Sequence, residues 1–146
     1  MPAESRPQLL HAMLPVSDLA RSLVFYRQHF SFAELRRIEL TSPARTLVFI
    51  GTASEPGSAN IEGSAMQLEL WYEPARQTPP PATQHAPSTL RTHVGIAVSG
   101  IDGFVDRLAA AGVPVLQRPA ALRPGGRRLA MIADPDGHEI ELLEVL

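Results

Sequence analysis

The sequence predicts an α+β fold made of two similar modules, each containing a strand, a helix and then further strands. Three observations support this prediction: an internal repeat, alternation of apolar and polar residues typical of half-buried strands, and one segment of helical apolar spacing in each half. At 146 residues, the chain is long enough to bury a core without disulfides or other crosslinks.

The repeat has a shift of 82 residues. "HAMLPVSDL" from His11 and "HVGIAVSGI" from His93 share a histidine, a Val-Ser pair and a following aliphatic residue at the same offsets. The same shift aligns "RTLVFI" from Arg45 with "RRLAMI" from Arg127. Two widely separated segments therefore agree on one register, which argues against chance similarity.

A third pair of segments shows where the modules differ in length. "QLEL" resembles "EIEL", but their glutamates, Glu69 and Glu141, are 72 residues apart rather than 82. We therefore predict ten extra residues in the first module, within the Gly/Ser/Pro-rich segment Gly51–Ala65, where the second module has only the short turn "ADPDG".

The domain organisation follows from this repeat. We predict a single domain, 1–146, made of module 1 (8–74), a linker (75–90) and module 2 (91–146). The linker prediction rests on the prolines and the missing apolar periodicity of "EPARQTPPPATQHAPST".

One helix is expected in each module. The first should begin with Ser17 as its N-cap and continue from Leu19 to Phe30, where apolar residues recur at helical spacing. The second has Ser99 as a candidate cap and Gly112 as a suitable C-terminal residue. Each helix can then cover one face of its own sheet.

Strand alternation separates the candidate functional residues from the core. His11 and His93 each fall on the face opposite the aliphatic residues of their strands, beside small or unbranched neighbours. By the same parity, Glu69 shares a face with Trp71, and Glu141 shares one with Glu139. Alone, each of these residues would more often be a solvated or hydrogen-bonded side chain, but their recurrence at corresponding positions favours a shared site.

The residue types restrict what such a site could hold. The chain has no cysteine, so a metal would be bound through nitrogen and oxygen only. Imidazole and carboxylate ligands suit Ni²⁺, Co²⁺, Zn²⁺, Fe²⁺ or Mn²⁺. Four such ligands would leave positions for water or substrate.

Charge and hydropathy restrict the partners. Lys+Arg total 13 against 15 Asp+Glu, so no basic stripe indicates nucleic acid or an anionic membrane surface. The N-terminus lacks a targeting pattern, and no apolar run approaches the ~18 residues of a spanning helix. We expect a cytoplasmic protein whose partners are small molecules.

Four stretches together resemble the vicinal oxygen chelate superfamily and, within it, glyoxalase I, the lactoylglutathione lyase family: "LLHAMLPVSDLARSLVFY", "MQLELWY", "THVGIAV" and "DPDGHEIELLE". The resemblance covers nearly the whole chain apart from the insertion and the linker. It implies two paired βαβββ modules whose mixed sheet curves into a metal-holding cup.

The resemblance also assigns residues. His11, Glu69, His93 and Glu141 match the family's four metal ligands. The metal would be Ni²⁺, Co²⁺ or Zn²⁺ first, with Fe²⁺ or Mn²⁺ as alternatives. In similar single-pair members the cup forms between two subunits that each contribute half the ligands, so a homodimer is implied.

The implied reaction converts a 2-oxoaldehyde–thiol hemithioacetal into a 2-hydroxy thioester by proton transfer through a metal-stabilised enediolate. Glu141 is expected to be the main base, with Glu69 as ligand and partner in the proton shuttle.

Substrate recognition is where the chain departs from the family. Bacterial glyoxalase I usually has an arginine where this chain has Pro15 and an asparagine where it has Glu73, both associated with glutathione. A substrate other than the glutathione adduct is therefore an open alternative. Arg123, in "RPGGRR", is a candidate for binding an anionic group, and Trp71 is a candidate for lining the cup.

Three other functions are compatible with the pattern. An epimerase or isomerase would use the same proton abstraction on another substrate. A ring-cleaving dioxygenase would need iron, usually with two histidines and one carboxylate, and the additional Glu69 argues against it. A protein that sequesters an antibiotic would typically lack the four-residue metal set.

Overall fold

The computed structural model describes residues 9–52, 66–76 and 92–145. The chain divides into two compact units, and the division falls within the predicted linker. Most of that linker, and the predicted insertion apart from residues 51 and 52, lie outside the described residues. The linker's first two residues belong to a single 3-10 turn, Pro74–Arg76.

The first unit contains four strands and one helix. Its sheet has the order β1-β4-β3-β2, in which β1 is parallel to β4 and the other neighbours are antiparallel. In chain order, the elements are β1 (His11–Pro15), α1 (Leu19–Phe30), β2 (Ala33–Thr41), β3 (Ala44–Gly51) and β4 (Gln67–Tyr72).

The second unit repeats this arrangement. Its sheet has the order β5-β8-β7-β6, again with one parallel pair, β5 and β8, and antiparallel neighbours elsewhere. In chain order, the elements are β5 (His93–Val98), α2 (Ile101–Ala110), β6 (Val115–Ala121), β7 (Arg128–Ala133) and β8 (Glu139–Glu144).

The predicted α+β class and the two βαβββ modules are therefore confirmed. The length difference between the modules also agrees with the prediction. Fifteen residues separate β3 from β4, whereas five separate β7 from β8. That the two units act as one domain stays a prediction.

The core of each unit lies on the aliphatic face of its sheet, as strand alternation predicts. In the first unit, Leu14 and Leu70 are buried, and α1 is buried through Phe25 and Tyr26. In the second, Ile140 and Leu142 are fully buried, as are the α2 residues Ile101 and Val105. The opposite face of each sheet does not take part in this core.

Both predicted helix caps were wrong by one residue. Asp18, not Ser17, caps α1, because its carboxylate accepts a hydrogen bond from the Arg21 amide at 2.9 Å. Gly100, not Ser99, precedes α2, in a left-handed conformation and with no side-chain cap. Gly112 does follow the end of α2, with a φ of 83° that glycine adopts without strain.

None of the helices in the described ranges is both long enough and apolar enough to cross a membrane.

Candidate metal and substrate site

A histidine and a glutamate meet on the open face of the first sheet. Met13 of β1 is the register partner of Glu69 on β4, so His11 is a diagonal neighbour of that glutamate on the same face. The His11 Nε2 lies 3.2 Å from the Glu69 Oε2. Parallel pairing of the first and last strands of the unit is what joins residues 58 positions apart in sequence.

The second unit repeats this contact with equivalent residues. Gly95 of β5 is the register partner of Glu141 on β8, so His93 is again the diagonal neighbour. The His93 Nε2 lies 3.1 Å from the Glu141 Oε2. Each unit thus places one imidazole nitrogen and one carboxylate oxygen together, with nearly the same separation.

This separation fits two ligands of one divalent ion. Ligands bound at about 2.0–2.2 Å and at right angles lie about 3 Å from each other. Each pair could therefore supply two adjacent ligands, and nitrogen with oxygen suits the ions considered above. Within the described ranges, no three His, Asp or Glu side chains lie close enough together to hold an ion.

The two glutamates differ in their surroundings. The Glu69 side chain is only 9% exposed, and its register partner on β3 is Phe49, whose ring also meets His11 edge-on at 5.3 Å. The Glu141 side chain is 20% exposed, and its neighbour on β5 is Gly95, which has no side chain. Glu141 therefore has more free space than Glu69.

Trp71 lies on the same face as Glu69, two residues further along β4. The Arg45 guanidinium lies over its ring, 5.3 Å from the ring centroid. The indole Nε1 donates a hydrogen bond to the Glu73 carboxylate at 3.3 Å, and the Arg76 Nε lies 3.5 Å from the other oxygen of that carboxylate. Glu73 is thus only 12% exposed and already has two partners.

Both units fall within one family match. Residues 8–142 match the model of a family described as the Glyoxalase/Bleomycin resistance protein/Dioxygenase superfamily. The chain belongs to this superfamily. The match covers both units, including both His–Glu pairs.

Several relatives within the superfamily have names that state an activity. The chain is 32% identical over 140 residues to a probable lactoylglutathione lyase of Vibrio cholerae, covering 96% of this chain and 92% of that protein. It is 31% identical over 137 residues to the lactoylglutathione lyase of Haemophilus influenzae, covering 94% and 92%. Both are similar along nearly their whole length.

Among solved structures of the superfamily, the trypanothione-dependent glyoxalase I of Leishmania major is similar to this chain. The TM-score is 0.71 at 29% identity, and the match covers 95% of this chain and 87% of that one. Glyoxalase I from Zea mays has a TM-score of 0.69 at 24% identity, covering 93% and 44%, and this likeness concerns the fold alone.

Arg123, which the superfamily resemblance suggested, has no contact described above with the other candidate residues. Arg123 is exposed in the loop between β6 and β7, where its carbonyl accepts a hydrogen bond from the Gly126 amide at 2.9 Å. Its role in binding an anionic group stays a prediction, as do the roles of His11, Glu69, His93, Glu141 and Trp71.

Two arginines on the open face of the first sheet were missed by the sequence analysis. Arg36 is the register partner of Phe49, with its guanidinium 5.8 Å from the ring centroid, and Arg45 lies over Trp71. Arg45 served only to fix the repeat register. Arg45, Leu47 and Phe49 follow one another at every second position of β3. This alternation could have predicted that Arg45 lies on the same face as Glu69.

Proposed function

We propose that this superfamily member is a metal-dependent lyase of the glyoxalase I type. It would convert the hemithioacetal of a 2-oxoaldehyde and a thiol into a 2-hydroxy thioester. The observation that carries the proposal is the duplicated His–Glu pair, at 3.2 and 3.1 Å, in a chain whose relatives include proteins named lactoylglutathione lyase.

The metal would be held by His11, Glu69, His93 and Glu141. Ni²⁺, Co²⁺ and Zn²⁺ are the first candidates, and Fe²⁺ or Mn²⁺ the alternatives. We propose a homodimer in which one subunit supplies the first pair and its partner supplies the second. When bound, the metal would supply electrostatic stabilisation for negative charge that develops on the substrate oxygens.

The protein's part in the reaction is proton transfer between adjacent carbons. In the proposed step, the Glu141 carboxylate takes the proton from the carbon that bears the sulfur and the hydroxyl group. The same proton returns to the neighbouring carbonyl carbon, and the hydroxyl proton moves to the former carbonyl oxygen, so the net change is an isomerisation without oxidant or reductant. The open space around Glu141 supports this role, and the enclosed Glu69 suits a fixed ligand.

The surroundings of Glu73 bear on the thiol. An unpaired glutamate would repel a carboxylate of a substrate such as the glutathione adduct. Glu73, however, accepts a hydrogen bond from Trp71 and pairs with Arg76, so its charge is partly compensated. This supports a glutathione-type thiol. Such a thiol would place the enzyme in the reducing cytoplasm.

The test is thioester formation from the methylglyoxal–glutathione hemithioacetal by the purified full-length protein, stripped of metal and then reloaded with Ni²⁺, Co²⁺ or Zn²⁺ in parallel. We expect rapid turnover that requires metal. H11Q and H93Q should lose metal and activity, whereas H29Q, a histidine on α1 outside the pairs, should retain both.

No turnover with any metal, in folded protein that still binds metal, would contradict this function. It would favour an epimerase or isomerase acting on another substrate. Stoichiometric ligand binding that does not require metal would instead favour a sequestering protein.

A further inference from the structure

Arg36 and Arg45 differ from the arginines that are paired with carboxylates. Arg37, Arg118 and Arg128 each contact a carboxylate at 2.8 Å or less. By contrast, within the described residues neither Arg36 nor Arg45 has an acidic partner, and each lies over an aromatic ring. No described carboxylate therefore compensates their positive charges.

Arg45 also has an unused donor. Its Nε is buried and has no hydrogen-bond partner among the described residues. Leaving a buried donor without a partner is costly, so such groups usually have another role. Its guanidinium lies over the Trp71 indole, which is on the same face of the sheet as Glu69.

Both arginines lie close to the first His–Glu pair. Phe49, which supports Arg36, is the register partner of Glu69, and Trp71, which supports Arg45, follows Glu69 by two residues. Phe49 and Trp71 are diagonal neighbours on β3 and β4, about 7–8 Å apart. The two arginines therefore lie on the open face beside the first His–Glu pair, where a substrate with two carboxylates could meet both charges.

The second unit has no equivalent. The register partner of Met131, which corresponds to Phe49, is Gln117 rather than an arginine. Leu143 stands where the first unit has Trp71, so Arg127, the counterpart of Arg45, has no aromatic ring at this position. The two arginine–aromatic pairs on the first sheet therefore have no counterpart at the corresponding positions of the second sheet.

We propose that Arg36 and Arg45 bind the two carboxylates of the thiol part of the substrate, so that the enzyme is selective for adducts of a peptide-sized thiol with two carboxylates. This inference rests on the proposed function. Pro15 is the register partner of Trp71 and offers no donor, while Glu73 is already paired. Arg45 supplies the positive charge next to them, from β3.

The first experiment compares two substrates with the metal-loaded enzyme: the hemithioacetals of methylglyoxal with glutathione and with glutathione diethyl ester. We expect the ester adduct to have a KM about 10- to 100-fold higher. R36Q and R45Q should each raise KM for the acid adduct by about tenfold or more, change kcat little, and reduce the discrimination between acid and ester.

The matched control is R107Q. The Arg107 guanidinium lies 5.4 Å from the Phe104 ring centroid on α2, so this substitution removes the same type of contact elsewhere. It should leave both KM values unchanged. R45K keeps the charge, so it should recover part of the discrimination between acid and ester. Loss of a merely structural contact would not explain such a recovery. Thermal unfolding checks that every variant is folded.

A second readout does not require turnover: calorimetric binding of S-methylglutathione and of its diethyl ester. Tighter binding of the acid that depends on Arg36 and Arg45 would uphold the inference even if no hemithioacetal were converted, in which case only the proposed reaction would fail. The inference is overturned if folded R36Q and R45Q behave as R107Q does in both assays, or if the acid has no advantage over the ester.

Discussion

The two units of the chain contain the same His–Glu pair in different surroundings. His11 and His93 are equally exposed, at 41% and 42%, and their distances to the glutamates differ by 0.1 Å. The glutamates are not equivalent: Glu69 is 9% exposed, and Glu141 is 20% exposed. The His–Glu separation is therefore nearly the same in both units, while the residues around the glutamates differ.

Neighbouring residues explain the difference. Glu69 has Met13 beside it on β1 and the Phe49 ring on β3, whereas Glu141 has Gly95 and Met131 in those places. A side chain enclosed by aromatic and thioether groups has fewer available rotamers than one beside a glycine. Under the proposed function, this difference favours Glu69 as a fixed ligand and Glu141 as the proton carrier.

The largest expected effect separates the two glutamates. E141Q should lower kcat by about 10²–10⁴-fold, because an amide cannot accept the substrate proton, and added metal should not restore the activity. E69Q should weaken metal binding, and excess metal should recover part of its activity. Turnover and metal content, measured across a metal titration, distinguish these outcomes.

E139Q is the matched control for E141Q, since Glu139 belongs to the same strand and lies at its beginning. It should remain active. A fully active E141Q enzyme would refute the assignment of Glu141 as the base, and equal rescue of both variants by metal would mean that the two glutamates share one role.

A smaller effect tests the open space around Glu141. A Cβ added at Gly95 would lie 3.9 Å from the Glu141 Oε2 and 3.6 Å from the Leu143 Cδ1, which are ordinary contacts. G95A should therefore fold normally but restrict the movement of the carboxylate. We expect a decrease in kcat of roughly tenfold with unchanged metal content.

The control for G95A is G103A in α2, where the added methyl group also makes only an ordinary contact, at 3.6 Å from Arg107. G103A should keep full activity and gain about 0.5–1 kcal/mol of stability, because alanine favours helix over glycine. If kcat of G95A equals that of G103A, free space beside Glu141 is not needed for turnover.

Much of the fold could be predicted because it depends on periodicity. Strand alternation and the repeat predicted both modules and put His11 and Glu69, as well as His93 and Glu141, on the face opposite the core. What could not be predicted depends on contacts across strands. The stacking of Arg36 on Phe49 requires the β2–β3 register, which shifts at an irregularity between Glu34 and Arg36. The cap residues were missed for local reasons: Ser17 and Asp18 are adjacent and both good N-caps, and Gly100, next to Ser99, takes the position before α2 in a left-handed conformation.

The smallest effect comes from comparing two arginines. Within the described residues Arg45 of the first unit has no acidic partner, whereas Arg128 of the second unit is paired with Asp102. Arg128 donates hydrogen bonds to both Asp102 oxygens, at 2.6 and 2.7 Å, and these bonds lower the pKa of Asp102 and raise that of Arg128. D102N should therefore lower the Tm slightly at neutral pH, since the lost carboxylate also favours the N-terminus of α2.

R45M should leave the Tm unchanged or raise it. It loses a cation–π contact of about 0.5–1 kcal/mol, but it removes a buried unsatisfied donor that costs about 1–3 kcal/mol.

The pH dependence of these two variants distinguishes their causes. A carboxyl group whose pKa is lowered by folding stabilises the protein above its unfolded pKa, and this contribution is lost as the pH falls through the folded value. The Tm difference between wild type and D102N should thus shrink below about pH 4, whereas that of R45M should not change there. Differential scanning calorimetry from pH 7 to pH 3 measures both. A clear loss of Tm in R45M at neutral pH would mean that the Arg45–Trp71 pair stabilises the first unit in the absence of any ligand.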